Sequence, residues 1–437
     1  MKKLVCVFLS LSMLFLFSCS KANTTGEKKE SESSSQNINQ HNDVVLPTVN
    51  VNSNNLANRF TSFDVNNFTI INSLNDSYYG FKSSASNYGL NDEFVLIDSQ
   101  SKEIKLKYPE NLTDWFVGSG SSVVLQNRYL YEWHSYNSEV AENTSHDVKL
   151  TRIDGKSGNV ELVDEIESGT PLIYMCKISD SEFLSYSITK APSDRTEYAV
   201  ISAAWIYTEK GEKREIINEK YENNANWTDS EGILIECFAV RDGKILGLGR
   251  RLISGKYQFF LYHYDNNGKM LSEEVLIGLE NIIGSEQFVE LYFAGNYFAF
   301  RTYESLSTYI CKVTDNGVEL IMKGADAQVP YAVTKDYMFF IEKNVNVYNG
   351  EIKEGNYPLY IIDIQKEEIY ATNFSPPLSK PYFVGIQSLA NDSLLVQYCD
   401  NGSYDPQKTK QYILDKEIIA DEISHISKTT IGNIKIT

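Results

Sequence analysis

The sequence is poor in histidine and in positive charge. It has 5 His, and its 40 Lys and Arg are outnumbered by 58 Asp and Glu, which gives a formal net charge of −18. This acidity argues against a nucleic acid or an anionic membrane surface as partner. No two histidines stand at a ligand spacing such as H-x-x-x-H, so we expect neither a metal site nor a cofactor.

The sequence also lacks motifs for nucleophilic and phosphate chemistry. It has no G-x-S-x-G and no G-x-x-x-x-G-K-[ST], and the glycine-rich stretches at 118–122 and 247–251 are not followed by a helical pattern. Fragments such as DNNGK at 265–269 indicate hairpin turns rather than calcium loops. His134 and His146 bracket one loop and are predicted to be solvated. These absences favour a protein that is not an enzyme.

Helical periodicity is a further absence, because no stretch of a dozen residues keeps an apolar stripe at i, i+3 and i+4. There is no C-x-x-C pair among the 6 Cys either. Beyond the first 19 residues, the cysteines lie inside strand-like apolar runs, so we predict buried free thiols. An extracytoplasmic location would also permit disulfides. The four residues are Cys176, Cys237, Cys311 and Cys399.

The start of the chain, by contrast, carries a clear pattern. Two lysines at 2–3 precede an apolar run from Leu4 to Phe17. A run of about fourteen residues is too short to span a bilayer, which needs about 20, so residues 1–18 are predicted to be a signal peptide. The LFSC at 16–19 resembles the lipobox of bacterial lipoproteins. That resemblance implies cleavage before Cys19, lipidation of Cys19 and a lipid-anchored position on the cell membrane, facing outside the cytoplasm. An uncleaved anchor or an ordinary secretory signal is the alternative.

Residues 20–57 are rich in Ser, Asn, Gln, Lys and Glu, with almost no large apolar side chain before Val44. Such a segment cannot bury enough apolar surface to offset its ordering entropy. We therefore predict that 19–57 comprises the lipidated cysteine and a disordered tether with an end-to-end distance of roughly 30–35 Å.

Residues 58–437 alternate two elements seven times. The first element is a short turn followed by an apolar strand, and the second is an apolar strand, a polar turn and another strand. An apolar segment precedes each first turn, so each unit has four strands, A to D. The starts of successive B strands are on average about 53 residues apart. The B strands begin near Tyr78, Tyr129, Phe183, Ile245, Tyr297, Met338 and Leu394.

Four-stranded units of this length are typical of β-propeller blades. We predict an all-β fold in which 58–437 forms a single β-propeller of seven four-stranded blades. A sandwich plus a second β-domain, or a ring of six or eight blades, is the alternative. Either 60–71 or 429–437 could supply the strand that closes the ring. No sharp blade signature recurs, so the fold alone does not imply a function.

The predicted propeller has two unlike faces. The A–B and C–D turns on one face are short, whereas many B–C and D–A connections are long, as at 134–147, 222–232, 342–358 and 399–409. We call the second side the long-loop face and expect it to carry binding. Arg250, Arg251 and Arg301 end B strands at nearly equivalent positions and could together bind a carboxylate.

Aromatic residues with nearby acids in the D–A loops are the candidate ligand-binding residues at the mouth of the channel. Aromatic faces beside carboxylates suit sugars or cationic groups. The alternative is that the rings only pack the channel. The candidates are Trp115, Trp227, Tyr331, Tyr382, Asp229 and Glu231.

These observations favour a membrane-anchored binding or scaffolding module that engages an unidentified protein or glycan. One alternative is a polysaccharide-active hydrolase or lyase with its site at the channel mouth. Another is an accessory lipoprotein of a transporter or of envelope assembly.

Overall fold

The structure is a computed structural model of the chain. It describes residues 61–63, 68–82, 93–98, 100, 102–109, 112, 117–135, 147–167, 173–190, 199–217, 234–302, 307–324, 331–341, 345–346, 351–352, 359–372, 374, 382–399, 409–426 and 428–430. The predicted signal peptide, Cys19 and the predicted tether lie outside these residues.

Seven antiparallel sheets of at least four strands form the blades of a β-propeller, as predicted. Strand A of each blade lies at one sheet edge, and in blades two to seven it packs against the A strand of another blade, so the A strands are the innermost strands of the ring. The A strands are β2 (Phe68–Leu74), β6 (Val117–Leu125), β10 (Ile173–Lys177), β14 (Leu234–Arg241), β18 (Phe288–Ala294), β22 (Tyr331–Val333) and β28 (Tyr382–Ser388). The B strands are β3 (Ser77–Lys82), β7 (Tyr129–Ser135), β11 (Glu182–Lys190), β15 (Lys244–Ile253), β19 (Tyr297–Thr302), β23 (Tyr337–Ile341) and β29 (Leu394–Cys399).

The outer half of each blade consists of strands C and D. The C strands are β4 (Glu93–Asp98), β8 (Asp147–Asp154), β12 (Ala199–Thr208), β16 (Lys256–Tyr264), β20 (Thr308–Thr314), β26 (Leu359–Asp363) and β30 (Thr409–Leu414). The D strands are β5 (Glu103–Lys105), β9 (Val160–Glu167), β13 (Lys213–Ile217), β17 (Met270–Val275), β21 (Gly317–Gly324), β27 (Glu368–Thr372) and, for blade seven, β1 (Thr61–Phe63). A hairpin of β24 (Val345–Asn346) and β25 (Glu351–Ile352) lies in the B–C connection of blade six.

The N-terminal strand closes the ring. Strand β1 pairs antiparallel with β30, with Thr61 opposite Ile413, so strands from both ends of the domain share blade seven. The other candidate segment behaves differently: β31 (Lys428–Thr430) pairs with β27 and adds a fifth strand to blade six. Closure by an N-terminal strand covers an edge that would otherwise present unpaired backbone groups.

Two short helices correct the expectation that helical patterns are absent. Helix α1 (Leu279–Ile283) lies in the connection between blades four and five. Helix α2 (Lys416–Ile423) replaces the D strand predicted after β30. Its Ile419 and Ile423, four residues apart, pack into the core between blades six and seven. This single turn of i, i+4 spacing is too short to register as a periodic pattern in the sequence.

The core is divided into seven apolar layers in the described residues, one at each interface between neighbouring blades. A middle strand therefore packs on both faces. Strands β19, β23, β26 and β29 are buried at every position as a result. This explains why these strands are continuous apolar runs in the sequence rather than alternating ones.

Hydrogen bonds between buried polar groups also join neighbouring blades, and the two partners are separated in sequence by nearly one repeat length. The Tyr79 hydroxyl donates to Glu132 at a separation of 53 residues. Three further links span 52 residues: Trp133 to Ser185, Tyr186 to Phe238, and Phe288 to Glu236. Between blades seven and one, the side chain of Gln411 accepts from the Ile70 amide at 2.7 Å and donates to the Phe68 carbonyl at 2.7 Å.

At the end of most C strands, a side-chain oxygen stabilises the C–D turn. This oxygen accepts a hydrogen bond from the backbone N–H of the residue two positions later in the chain, which favours a tight turn after the strand. The residues are Asp98, Asp154, Asp265, Thr314 and Asp363. This recurring Asp or Thr accounts for the short, uniform turns on the face opposite the long-loop face.

Candidate functional site

Side chains from three innermost strands meet near the axis of the ring. Tyr174 comes from β10, Glu290 and Tyr292 from β18, and Tyr331 from β22, while Arg301 comes from the B strand β19. We call these five residues the channel cluster. Each A strand begins at a D–A connection, and Tyr331 is the first residue of its strand. The cluster therefore lies towards the long-loop face.

Glu290 is the acidic centre of the channel cluster. Its Oε2 accepts a hydrogen bond from the Tyr331 hydroxyl at 3.1 Å. Its Oε1 lies 3.8 Å from Nη1 of Arg301, which is beyond hydrogen-bond distance. The carboxylate and the guanidinium thus balance each other's charge without being joined by a direct hydrogen bond.

Arg301 is the basic centre and is largely buried. Its guanidinium carbon lies 5.7 Å from the centre of the Tyr331 ring, a cation–π arrangement. Its Nε makes no hydrogen bond within the described part of the chain. An unsatisfied buried donor costs about 1–3 kcal/mol, so this side chain retains a capacity to donate.

Tyr292 gives the channel cluster an exposed aromatic face. It lies on an innermost strand, yet it is 48% exposed. Its ring meets that of Tyr331 edge to face, with centroids 6.0 Å apart. A large exposed ring held by a second ring is a ready surface for stacking.

The phenols of the cluster remain protonated at neutral pH. Burial raises the pKa of Tyr331 well above its usual range, and the nearby Glu290 charge raises it further. The same two causes raise the pKa of Tyr174. These hydroxyls can therefore donate and accept hydrogen bonds, but they do not supply phenolate nucleophiles.

The structure describes only part of the predicted binding set. Tyr331 lies in the channel cluster, at the start of β22 rather than in a loop. The backbone of Tyr382 begins β28, while its side chain is outside the described part. Trp115, Trp227, Asp229 and Glu231 also lie outside the described residues, so their role stays a prediction.

Sequence reasoning did not single out Glu290 or Tyr292. The signal was present, because FVELYFA places one glutamate inside an otherwise apolar innermost strand. Glu236 in LIECFAVR shows the same pattern on β14. A charge in a buried strand requires a partner, and Arg301 and Arg250 supply it.

The three arginines do not form a shared carboxylate site, because each has its own glutamate. Arg250 is buried, with Nε 2.5 Å from Glu236 Oε1, and its Nη1 donates to the Ser285 carbonyl at 2.7 Å. Arg251 binds Glu273 through both terminal nitrogens, at 3.1 and 2.6 Å. Of the three, only Arg301 belongs to the channel cluster.

A second titratable group is buried between blades one and two. His134 is buried rather than solvated, with Nε2 2.8 Å from Thr151 Oγ1 and 3.7 Å from Glu132 Oε2. Burial raises the pKa of Glu132 to about 7 and lowers the pKa of His134 to about 4. Both side chains are at most 2% exposed, so this pair is closed to ligands. His146 lies outside the described residues.

The four cysteines in the described residues are free, as predicted. Cys237, Cys311 and Cys399 are buried, whereas Cys176 is half-buried. Burial raises the pKa of Cys176 to about 12, so the thiol is unreactive at neutral pH.

Across the described strands and turns, no three His, Cys, Asp or Glu side chains cluster as a metal ion would require. Among the same residues, no helix has the length and apolarity to cross a membrane.

The fold defines a β-propeller, and solved propeller structures are similar to it. An oligogalacturonate lyase from Vibrio parahaemolyticus covers 86% of this chain and 98% of its own, with a TM-score of 0.44 and 11% identity. The β-propeller domain of the Trilobed protease from Pyrococcus furiosus covers 72% and 84%, with a TM-score of 0.41 and 12% identity. TolB from Acinetobacter baumannii covers 76% and 78%, with a TM-score of 0.33 and 12% identity.

At such low identity the similarity concerns the fold alone. No protein-family model matches the sequence. No curated protein matches it either.

Proposed function

We propose that this chain is a lipid-anchored, extracytoplasmic binding module that captures a protein or glycan on its long-loop face. The observation that carries the proposal is the exposed Tyr292 ring beside the Glu290–Arg301 pair at the channel mouth. Binding sites typically combine apolar ring surface with a few converging polar groups, and the channel cluster has both.

The LFSC pattern and the polar segment after it support the anchored position. Two acyl chains on one cysteine hold a protein stably on a bilayer, and the tether would keep the ring clear of the headgroups. Metabolic labelling with an alkynyl fatty acid tests the anchor. We expect the wild-type chain to take the label and Cys19→Ser to lose it and leave the membrane fraction. A Cys19→Ser chain that remained firmly membrane-bound would contradict the anchor.

A polysaccharide-active hydrolase or lyase is the second candidate. A glycosidase generally needs two carboxylates about 5–9.5 Å apart across the bond that it cleaves. Among the described residues, the acid whose charge acts on Tyr174, Tyr292 and Tyr331 is Glu290 alone. One carboxylate suffices for binding, whereas hydrolysis would need a second acid from outside the described residues, where Asp229 and Glu231 lie.

Cross-linking of the detergent-solubilised full-length protein to envelope extract tests the binding function. We expect one set of partners to be captured by wild type and lost with Tyr292→Ala and with Glu290→Gln. Leu271→Ala is the matched control, because Leu271 is 63% exposed on the outermost strand of blade four. Capture that is unchanged in both channel variants would remove the channel cluster from the binding surface. Shortening of a polysaccharide during the incubation would favour the hydrolase instead.

A further inference from the structure

The charge balance of the channel cluster restricts what it can bind. Glu290 and Arg301 carry opposite charges 3.8 Å apart, and the Arg301 side chain is only 8% exposed. An anionic ligand would have to compete with Glu290 for the guanidinium, and a cation would have to compete with Arg301 for the carboxylate. Leaving either group buried without its partner is costly. The site therefore favours a ligand without net charge.

The spacing of the pair indicates which polar groups that ligand should have. The carboxylate can accept from a donor, and the guanidinium can donate to an acceptor, yet the two make no direct hydrogen bond with each other. Hydroxyls on adjacent carbons of a sugar match both needs: one O–H donates to Glu290 while the neighbouring oxygen accepts from Arg301. A sugar bound in this way leaves the charges of Glu290 and Arg301 unchanged and gives each of these desolvated side chains an additional hydrogen-bond partner.

The aromatic part of the cluster matches the rest of a sugar. A pyranose ring has an apolar C–H face, and Tyr292 offers an exposed ring held in place by Tyr331. The phenol hydroxyls of Tyr174 and Tyr292 are protonated at neutral pH, so they can donate hydrogen bonds to the sugar hydroxyls and accept hydrogen bonds from them.

We propose that the channel cluster binds an uncharged pyranose of a glycan, stacked on Tyr292 and bridged through vicinal hydroxyls to Glu290 and Arg301. This inference rests on the proposed binding function and narrows its partner to a neutral glycan.

Calorimetric titration of the detergent-solubilised full chain tests the inference. The probes are two neutral oligosaccharides, cellohexaose and chitohexaose, an anionic one, hexagalacturonate, and a cation, spermine. We expect a neutral oligosaccharide to bind, and neither charged probe to compete with it. Tyr292→Ala should weaken this binding about tenfold or more, because the apolar C–H face of the sugar loses the aromatic ring on which it packs.

Two further variants separate recognition from folding. Tyr292→Phe keeps the ring and should recover most of the affinity that Tyr292→Ala loses. Glu290→Gln should weaken binding about tenfold, because a charged acceptor becomes neutral while the link to Tyr331 can persist. Leu271→Ala should leave the affinity unchanged.

Preferential binding of hexagalacturonate or spermine would overturn the neutral-sugar inference. So would failure of both neutral oligosaccharides, or binding that Tyr292→Ala does not weaken. In each of these cases, capture of an envelope partner through the channel cluster would still support the binding module, so the two proposals can fail separately.

Discussion

Replacing Glu132 by glutamine should make the stability of this protein depend on pH in a range where wild type is nearly insensitive. Glutamine keeps the size of the side chain, and its carbonyl oxygen can still accept from Tyr79. What it removes is the titrating group 3.7 Å from His134 Nε2.

The two wild-type groups act in opposite directions. Folding raises the pKa of Glu132 from 4.5 to about 7. Its contribution to the free energy of unfolding is therefore fully present below pH 4.5 and is lost as the pH rises to 7. The pKa of His134 falls from 6.5 to about 4, so its contribution is fully present above pH 6.5 and is lost as the pH falls to 4. Each change corresponds to about 3 kcal/mol, and over this window the two nearly cancel.

The cancellation has a simple origin in proton counting. Between about pH 4.5 and 6.5 the unfolded chain holds one proton, on the histidine, and the folded chain also holds one, on the glutamate. Folding moves the proton without releasing it. In Glu132→Gln, His134 titrates alone, so the free energy of unfolding should fall by about 3 kcal/mol from pH 6.5 to pH 4. His134→Gln should show the mirror image, a loss of about 3 kcal/mol as the pH rises from 4.5 to 7.

Urea unfolding followed by tryptophan fluorescence, in half-unit steps of pH, measures both profiles relative to wild type. Taking differences from wild type cancels the other histidines and acids. Glu212→Gln, in an exposed turn, is the control and should run parallel to wild type. A Glu132→Gln profile that also runs parallel to wild type between pH 4 and 6.5 would refute the reasoning.

Two further predictions concern buried polar contacts, one between blades and one within a blade. Gln411→Leu should lower the free energy of unfolding by about 3 kcal/mol, because the Ile70 amide and the Phe68 carbonyl both lose a buried partner. Hydrogen exchange should accelerate at Ile70, and unchanged exchange there would contradict a role in ring closure. Arg250→Met should cost about 3–5 kcal/mol in thermal or urea unfolding by removing the ion-pair partner of Glu236. Adding Glu236→Gln should recover part of this loss, because it removes the buried charge and keeps an acceptor for the Phe288 amide. No recovery in the double variant would contradict the pairing argument.

The blade repeat was predictable because its signals are local. The predicted B-strand starts at Tyr129, Tyr297 and Leu394 coincide with those of the structure. Each depends on a turn and an adjacent apolar run, which sequence displays directly. The count of seven followed from these local units.

Ring closure and the last D position were not predictable in the same way. Both Thr61–Phe63 and Lys428–Thr430 are short and strand-like, and only pairing with β30 or with β27 distinguishes them. The segment after β30 was predicted to be a strand but forms α2, because Ile419 and Ile423 pack as a helical pair against blades six and seven.

The candidate site shows the same limit. Tyr331 was singled out as an aromatic near a D–A loop, but its partners Glu290 and Tyr292 lie about forty residues away in another blade. Arg301 was grouped with Arg250 and Arg251 by position in the repeat. The structure instead pairs each arginine with a glutamate of its own blade.

The repeat, the strand order within each blade and the distinction between a short-turn and a long-loop face could be predicted from sequence, because these features depend on residues near one another in the chain. The strand that closes the ring, the pairing of charges and the side chains that meet at the channel became visible in the folded protein. Those outcomes depend on contacts across the strands of a blade and between blades, which join residues that no local pattern connects.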